Sequence, residues 1–385
     1  MKVGIIGAGF AGVEAARVIA GKGVDVTLFS AEKVPPYNRP RLPEMAFGHC
    51  EPDDIFMHEP EWYADKGIDL RLDAEVKAFT PDFEVTLRDG RQEKFDALLI
   101  ASGGRPAIPA FCRECKKPHI FKLWNYFDAL NIREHLESGN RLGVLGGGVL
   151  GVEIALRAVD KNLKVFIVER ASHILSRNFS RKACEIMEKQ LYSYNIDLIL
   201  NGTVSHFESE RENRTLVMME NQDGFWCDFV IVATGVDFDV SMMEAAGMKT
   251  DRRILVDEYL QTSLPGIFAA GDIARLAVSA SCSFEVAIEQ GKAAGNNILA
   301  YLNGSDMTAY KAEAVPLELK YKDFEIHAIR TVAKVEGLKI IDYNDMKTYR
   351  SRIYRGSALV GGEVVGSDST FLTKLLDKLK DIEIY

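Results

Sequence analysis

The chain has 385 residues, a net charge of −9 and no long basic run, which argues against nucleic acid as a partner. Hydrophobic residues at 47% and charged residues at 27% are the proportions of an ordinary globular protein of two or three domains. No run of roughly 18 apolar residues is present to span a membrane, and six scattered cysteines point to a reducing cytoplasm rather than a disulfide framework.

Residues 1–9 are apolar but run straight into a glycine turn, so they read as a first strand and not as a signal peptide. Strand 3–6 leads into Gly7-Ala8-Gly9-Phe10-Ala11-Gly12, a helical run through Ala20 and a second strand at 24–29. Further on, strand 97–100 ends in Ala101-Ser102-Gly103. The same signals then recur in the same order. Strand 142–145 leads into Gly146-Gly147-Gly148-Val149-Leu150-Gly151, a helical run through Val159 and strand 164–168. Strand 229–232 closes this copy with Ala233-Thr234-Gly235. A lone GxGxxG is a weak signal, but each copy here follows a strand and opens a helix inside a βαβ frame. Two dinucleotide-binding folds are therefore expected.

The loop chemistry explains the residue types. The first glycine makes the turn, the second lets backbone approach a pyrophosphate, and the third lets the helix pack on the strand. The anion then sits on the free N–H groups of the helix N-terminus. An acidic residue ending the second strand binds ribose hydroxyls, and in the second copy this is Glu169. Its charge would repel a 2′-phosphate, which favours NADH over NADPH, although Arg170 beside it could accommodate the phosphate. In the first copy the aligned residue is Ser30, followed by Ala31, with Glu32 two places on as either a ribose ligand or a solvated loop charge.

These features resemble the two-dinucleotide-binding-domain flavoproteins related to disulfide reductases, over essentially the whole chain. The resemblance implies FAD in the first fold and NADH in the second. Thr262-Ser263-Leu264-Pro265-Gly266-Ile267-Phe268-Ala269-Ala270-Gly271-Asp272 is similar to the family's late FAD signature, which gives Gly271 and Asp272 a place at the ribityl chain. Residues 285–291 resemble the helix whose N-terminus lies near the flavin, and Val76 matches a position whose backbone contacts the adenine. Disulfide reductases carry a CxxxxC pair after the first βαβ unit. Here that region reads Pro36-Tyr37-Asn38-Arg39-Pro40-Arg41-Leu42-Pro43-Glu44, without cysteine, and Cys50 lies out of register. A thiol relay is not expected.

Tyr37-x-Arg39-Pro40-x-Leu42 instead resembles rubredoxin reductases, ferredoxin reductases of oxygenase systems and the FAD part of assimilatory nitrite reductases. The resemblance places Arg39 on FAD, with Arg41 a second cation nearby. Glu44, a candidate near the flavin, stands where the ferredoxin-reductase branch usually has lysine, which favours the other two branches. Val315-Pro316-Leu317-Glu318-Leu319-Lys320 resembles the rubredoxin-reductase segment whose lysine reaches the flavin, so Lys320 is a candidate beside the plainer reading of an exposed strand lysine. Glu153 shares a position with these relatives near nicotinamide and flavin, and a helix-dipole contact is the plainer alternative.

The expected architecture is α/β: two Rossmann-like three-layer dinucleotide-binding domains plus a small α+β C-terminal interface domain. The FAD domain spans 1–107 and 239–310, the NAD(H) domain 108–238, and the interface domain 311–385. Arg350, Arg352 and Arg355 of the last domain face an acidic electron carrier or form a solvated strand face. The terminal helix, with Phe371, Leu372, Leu375, Leu376 and Leu379 on one side, reads first as core packing and second as a membrane-surface anchor. Cys112-x-x-Cys115 lacks a second pair to complete a zinc site, and no metal ligand is assigned. The expected activity is NADH oxidation through FAD to a small iron protein, rubredoxin or ferredoxin-like, by a cytoplasmic monomer or homodimer. The alternatives are the FAD-bearing component of an assimilatory nitrite reductase and an NADH-sensing flavoprotein of the apoptosis-inducing-factor type.

Overall fold

The structure is a computed structural model that describes residues 1–113, 119–137, 139–209, 214–276, 283–312, 314–322, 324–330, 338–344 and 348–379. Cys115 lies outside the described residues. Two five-stranded parallel sheets repeat one plan. In the first, strand Lys2–Ile6 lies between Asp25–Phe29 and Ala97–Ile100. Ile68–Arg71 and Ile267–Ala269 flank them. In the second, Arg141–Leu145 lies between Lys164–Val168 and Phe229–Val232, flanked by Ile196–Ile199 and Ile120–Lys122. The central strands are buried on both faces, as their near-continuous apolar runs require in a parallel sheet.

The repeat extends to features without a strong pattern in the sequence. Each copy carries a three-stranded antiparallel meander, Val76–Phe79 with Glu84–Leu87 and Gln92–Lys94, and Val204–Ser209 with Thr215–Met219 and Gly224–Cys227. Short strands Arg105–Pro106 and Val236–Asp237 pair where the chain passes between the two sheets. There the Arg105 guanidinium bridges Asp237 at 3.2 Å and Asp239 at 2.8 Å.

Helix Phe284–Asn303 packs along helix Phe10–Ile19. Its Gly291 permits the contact, because a Cβ there would lie 2.4 Å from the Ala11 carbonyl oxygen. The rest of the chain forms a five-stranded antiparallel sheet closed by helix Ser369–Leu379. Leu375 and Leu379 are buried against Ile329, with Phe371, Leu372 and Leu376 packed around them. The apolar stripe is core packing, and the surface-anchor alternative is not supported. Among the described residues no helix is long and apolar enough to cross a membrane. Arg350 pairs with Asp368 and Arg352 stacks over Tyr343 and Phe371, so both are engaged within this sheet and helix.

Candidate dinucleotide clefts

Both glycine loops have the same backbone. Gly7 and Gly146 each sit at φ +111°, and a Cβ on either would meet the carbonyl oxygen of Ala101 or Ala233 at 2.3 Å. Gly12 and Gly151 are equally constrained, since a Cβ would lie 1.9 Å from the Gly7 or Gly146 oxygen. Gly9 and Gly148 differ: a Cβ there meets nothing of the protein within 4 Å. The middle glycine of each loop therefore faces open space at a helix N-terminus, where a phosphate can approach free N–H groups.

In the first copy that space belongs to a cleft of about 1110 Å³. It is lined by Gly7, Gly9, Phe10, Ala11, Ser30, Ala31, Glu32, Arg39, Val76, Ala101, Ser102, Gly103, Gly271 and Asp272. It is also lined by Val149 and Glu153 from the second copy's helix and by Val315–Tyr321, Lys320 included, which lead into and form the first strand of the C-terminal sheet. Residues from three distant parts of the sequence thus meet around one cavity.

Glu32 is not a solvated loop charge. Its carboxylate accepts from the Tyr37 hydroxyl at 2.8 Å and from the Arg39 guanidinium at 2.6 Å. The buried Ser30 hydroxyl accepts from the Glu32 backbone N–H at 3.1 Å. Arg39 also donates to the Trp124 carbonyl at 2.5 Å. Burial pushes the Tyr37 phenol well above its ordinary value, so it stays a donor. Tyr37, Trp124 and Phe284 also line the cleft, though sequence reasoning assigned them no site role. The cation-and-aromatic pattern around Arg39-Pro40 was the available signal for Tyr37, and Trp124 had none.

Two expectations are corrected. Arg41 does not reach the cleft: its guanidinium pairs with Glu44 at 3.1 Å and donates to the Asp54 carbonyl. Glu44 is likewise turned to Arg41 and to Arg157, whose guanidinium lies 3.2 Å from it. Cys50 is also off the cleft, and burial raises its thiol pKa, the reverse of what an activated thiol requires. Among the described residues no cysteine lines the cavity.

In the second copy, Gly146, Gly148, Leu150, Gly151, Glu169 and Gly235 gather at the loop. Glu169 accepts from Gly147 N–H at 2.7 Å and from Ala171 N–H at 2.8 Å, which fixes the carboxylate at the end of its strand. Gly235 is at φ +117° with the Arg177 guanidinium 3.8 Å from its would-be Cβ, a cation that sequence reasoning missed.

Glu153 joins the two copies. It lines the first cleft from the second copy's helix, and burial pushes its carboxyl up to about 7, with Arg157 opposing and Glu44 adding to the rise. The folded protein therefore holds a proton that the unfolded chain, with an ordinary carboxyl, has released. Stability from the neutral form is present below the unfolded pKa and lost as pH rises through about 7. Glu153→Gln, melted in excess FAD, is expected to raise the unfolding temperature at about pH 8.5 and to leave it nearly unchanged near pH 5. Equal shifts at both would contradict this.

Two Rossmann-type sheets, a large cleft at the first glycine loop and a second glycine loop define a flavoprotein reductase of two dinucleotide-binding folds. The chain belongs to the pyridine nucleotide-disulphide oxidoreductase family, whose model matches residues 1–296. It is similar to an NADH-rubredoxin oxidoreductase of Clostridium acetobutylicum, 29% identical over 92% of this chain and 85% of that protein. It is also similar to a nitrite reductase [NAD(P)H] of Bacillus subtilis, 24% identical over 98% of this chain but only 47% of that protein. A solved covalent putidaredoxin reductase–putidaredoxin complex superposes with a TM-score of 0.89 at 25% identity, covering 98% of this chain and 93% of that chain. The protein is an FAD-containing, NADH-dependent oxidoreductase.

Proposed function

We propose that this enzyme oxidises NADH and delivers the electrons to a small iron protein, rubredoxin before others. The observation that carries the reading is that none of the described cysteines lines the cleft. Family membership brings the cofactor folds, but the segment 36–44 has no cysteine and no described cysteine lines the cavity. The name of the clostridial relative and its coverage of nearly the whole chain support rubredoxin as acceptor.

In this reading Gly7, Gly9 and the N-terminus of helix Phe10–Ile19 hold the FAD pyrophosphate. Glu32, fixed by Tyr37 and Arg39, faces the adenosine ribose, Val76 offers backbone to the adenine, and Asp272 serves the ribityl chain. Gly146, Gly148 and Gly151 shape the NADH loop, and Glu169 selects an unphosphorylated ribose. FAD, when bound, supplies the change from two-electron to one-electron chemistry that no side chain here can perform. The protein's own work is to position the two cofactors and exclude water, and Glu153 places a protonatable carboxyl between their folds. The sheet memberships support FAD-domain limits of 1–107 and 239–310, an NAD(H) domain at 108–238 and an interface domain at 311–385.

Stopped-flow reoxidation of the NADH-reduced protein tests the proposal. Rubredoxin is expected to reoxidise it faster than a ferredoxin, a quinone, oxygen or a disulfide. Faster reaction with a disulfide would overturn it. Slow reaction with every carrier, coupled to NADH-dependent dimerisation, would favour the sensor alternative. The nitrite-reductase alternative rests on a relative whose length this chain spans by only about half.

A further inference from the structure

One group of ligand-type side chains, Glu318, Glu325 and His327, is given no role in the proposed cofactor binding. Antiparallel strands Leu317–Tyr321 and Phe324–Arg330 place Glu318 opposite His327 and Lys320 opposite Glu325. Side-chain alternation puts all four on one face of the sheet. The Lys320 ammonium contacts Glu318 and lies 3.6 Å from Glu325, so two carboxylates already hold one cation there. His327 is only 5% exposed, yet its Nε2 has no hydrogen-bond partner. That nitrogen points into the group, 3.4 Å from Glu325 Oε2. One ligand atom from each of Glu318, Glu325 and His327 falls within 4.8 Å of the others.

The buried His327 Nε2 thus faces the Glu325 carboxylate at the edge of contact range without a well-formed hydrogen bond, an arrangement that a bound ion would complete. The spacing suits such an ion. Tetrahedral zinc with bonds of about 2.0–2.1 Å has ligand-to-ligand edges of roughly 3.3–3.4 Å, which the His327–Glu325 separation matches. One imidazole and two carboxylates leave a fourth position for water, and the imidazole disfavours magnesium and calcium. We propose that Glu318, Glu325 and His327 form a binding site for one divalent transition-metal ion of the zinc type, taken up in exchange for the Lys320 ammonium. Glu318 and Lys320 both line the flavin cleft, so the ion sits at its rim and releases Lys320 from its glutamate partners.

The test uses the FAD-loaded full chain, stripped with a chelator and titrated with zinc sulfate against a chromophoric zinc indicator at neutral pH. One zinc per chain is expected, unaffected by excess magnesium. Lys320→Met removes the competing cation and should tighten binding by about tenfold or more, while Glu318→Gln should weaken it by at least about tenfold. His327→Gln should abolish it. If that buried variant fails to fold, the two exposed-residue variants carry the test. Absence of stoichiometric zinc, indifference to both exposed variants, or loss of binding on alkylating the cysteines would each overturn the proposal.

Discussion

Replacing Gly9 with valine should yield a folded protein that purifies without its yellow colour. Gly9 has φ −82° and ψ −171°, a conformation any residue adopts, and a Cβ there meets no protein atom within 4 Å. The fold therefore loses nothing. The added methyl groups instead occupy the space between the helix N-terminus and the cleft, where backbone must approach the pyrophosphate. Overpacking of this kind costs about 3 kcal/mol or more, roughly a hundredfold in FAD affinity. Gly148→Val makes the same change in the second copy and should give a yellow protein that dithionite still reduces but NADH does not. The pair distinguishes the two folds: a colourless Gly148→Val with a yellow Gly9→Val would reverse the assignment. Gly12→Ala is a different case, since its Cβ would overlap the Gly7 carbonyl and the loop itself would fail. Circular dichroism and absorbance at the flavin band read all three.

The second large effect is on stability. Glu363 is fully buried, and its carboxylate accepts from the Ser180 backbone N–H at 2.7 Å and the Ser180 hydroxyl at 2.5 Å. Ser180 is the N-cap of helix Arg181–Ser193 in the second Rossmann-type fold, whereas Glu363 lies on strand Ala358–Val365 of the C-terminal sheet. A negative charge at a helix N-terminus is favourable, and here it also ties the two units together. Glu363→Ala leaves the buried Ser180 N–H without its acceptor, leaves the hydroxyl only Tyr349 at 3.3 Å, and opens a cavity, at a cost of roughly 2–5 kcal/mol. Thermal melting should show a clear loss, with Glu363→Gln intermediate because it keeps the shape and loses the charge. A Glu363→Ala protein that melts like the parent would contradict this role. A further tie, from the Tyr321 hydroxyl to Asp160 at 2.6 Å, keeps strand Leu317–Tyr321 against the end of helix Val149–Val159.

Much of this was legible in the sequence because glycine is demanded by backbone geometry rather than by partners. A carbonyl 1.9 Å from a would-be Cβ admits no other residue, so the loops declare themselves at Gly12 and Gly151. The position of Glu169 was equally legible, being set by its own strand end and the adjacent loop. What escaped were roles set by long-range contact. Arg39 meets Trp124 across 85 positions, and Arg157 meets Glu44 across 113. No local pattern encodes such pairings. Arg41 was misplaced for the same reason: alternation around a proline turn cannot show which of two arginines faces the cavity. The antiparallel meanders went unread because their short strands, such as Gln92–Lys94, carry little apolar alternation.

The central claim is that bound FAD is the sole redox centre and hands electrons outward without a protein disulfide. Anaerobic titration of the FAD-loaded protein with NADH tests it most directly, and it also reaches Cys112 and Cys115, the one closely spaced cysteine pair in the sequence. The flavin absorbance should bleach completely with a single equivalent of NADH per FAD. Consumption of a second equivalent, with a long-wavelength band from a thiolate against the flavin, would contradict the account.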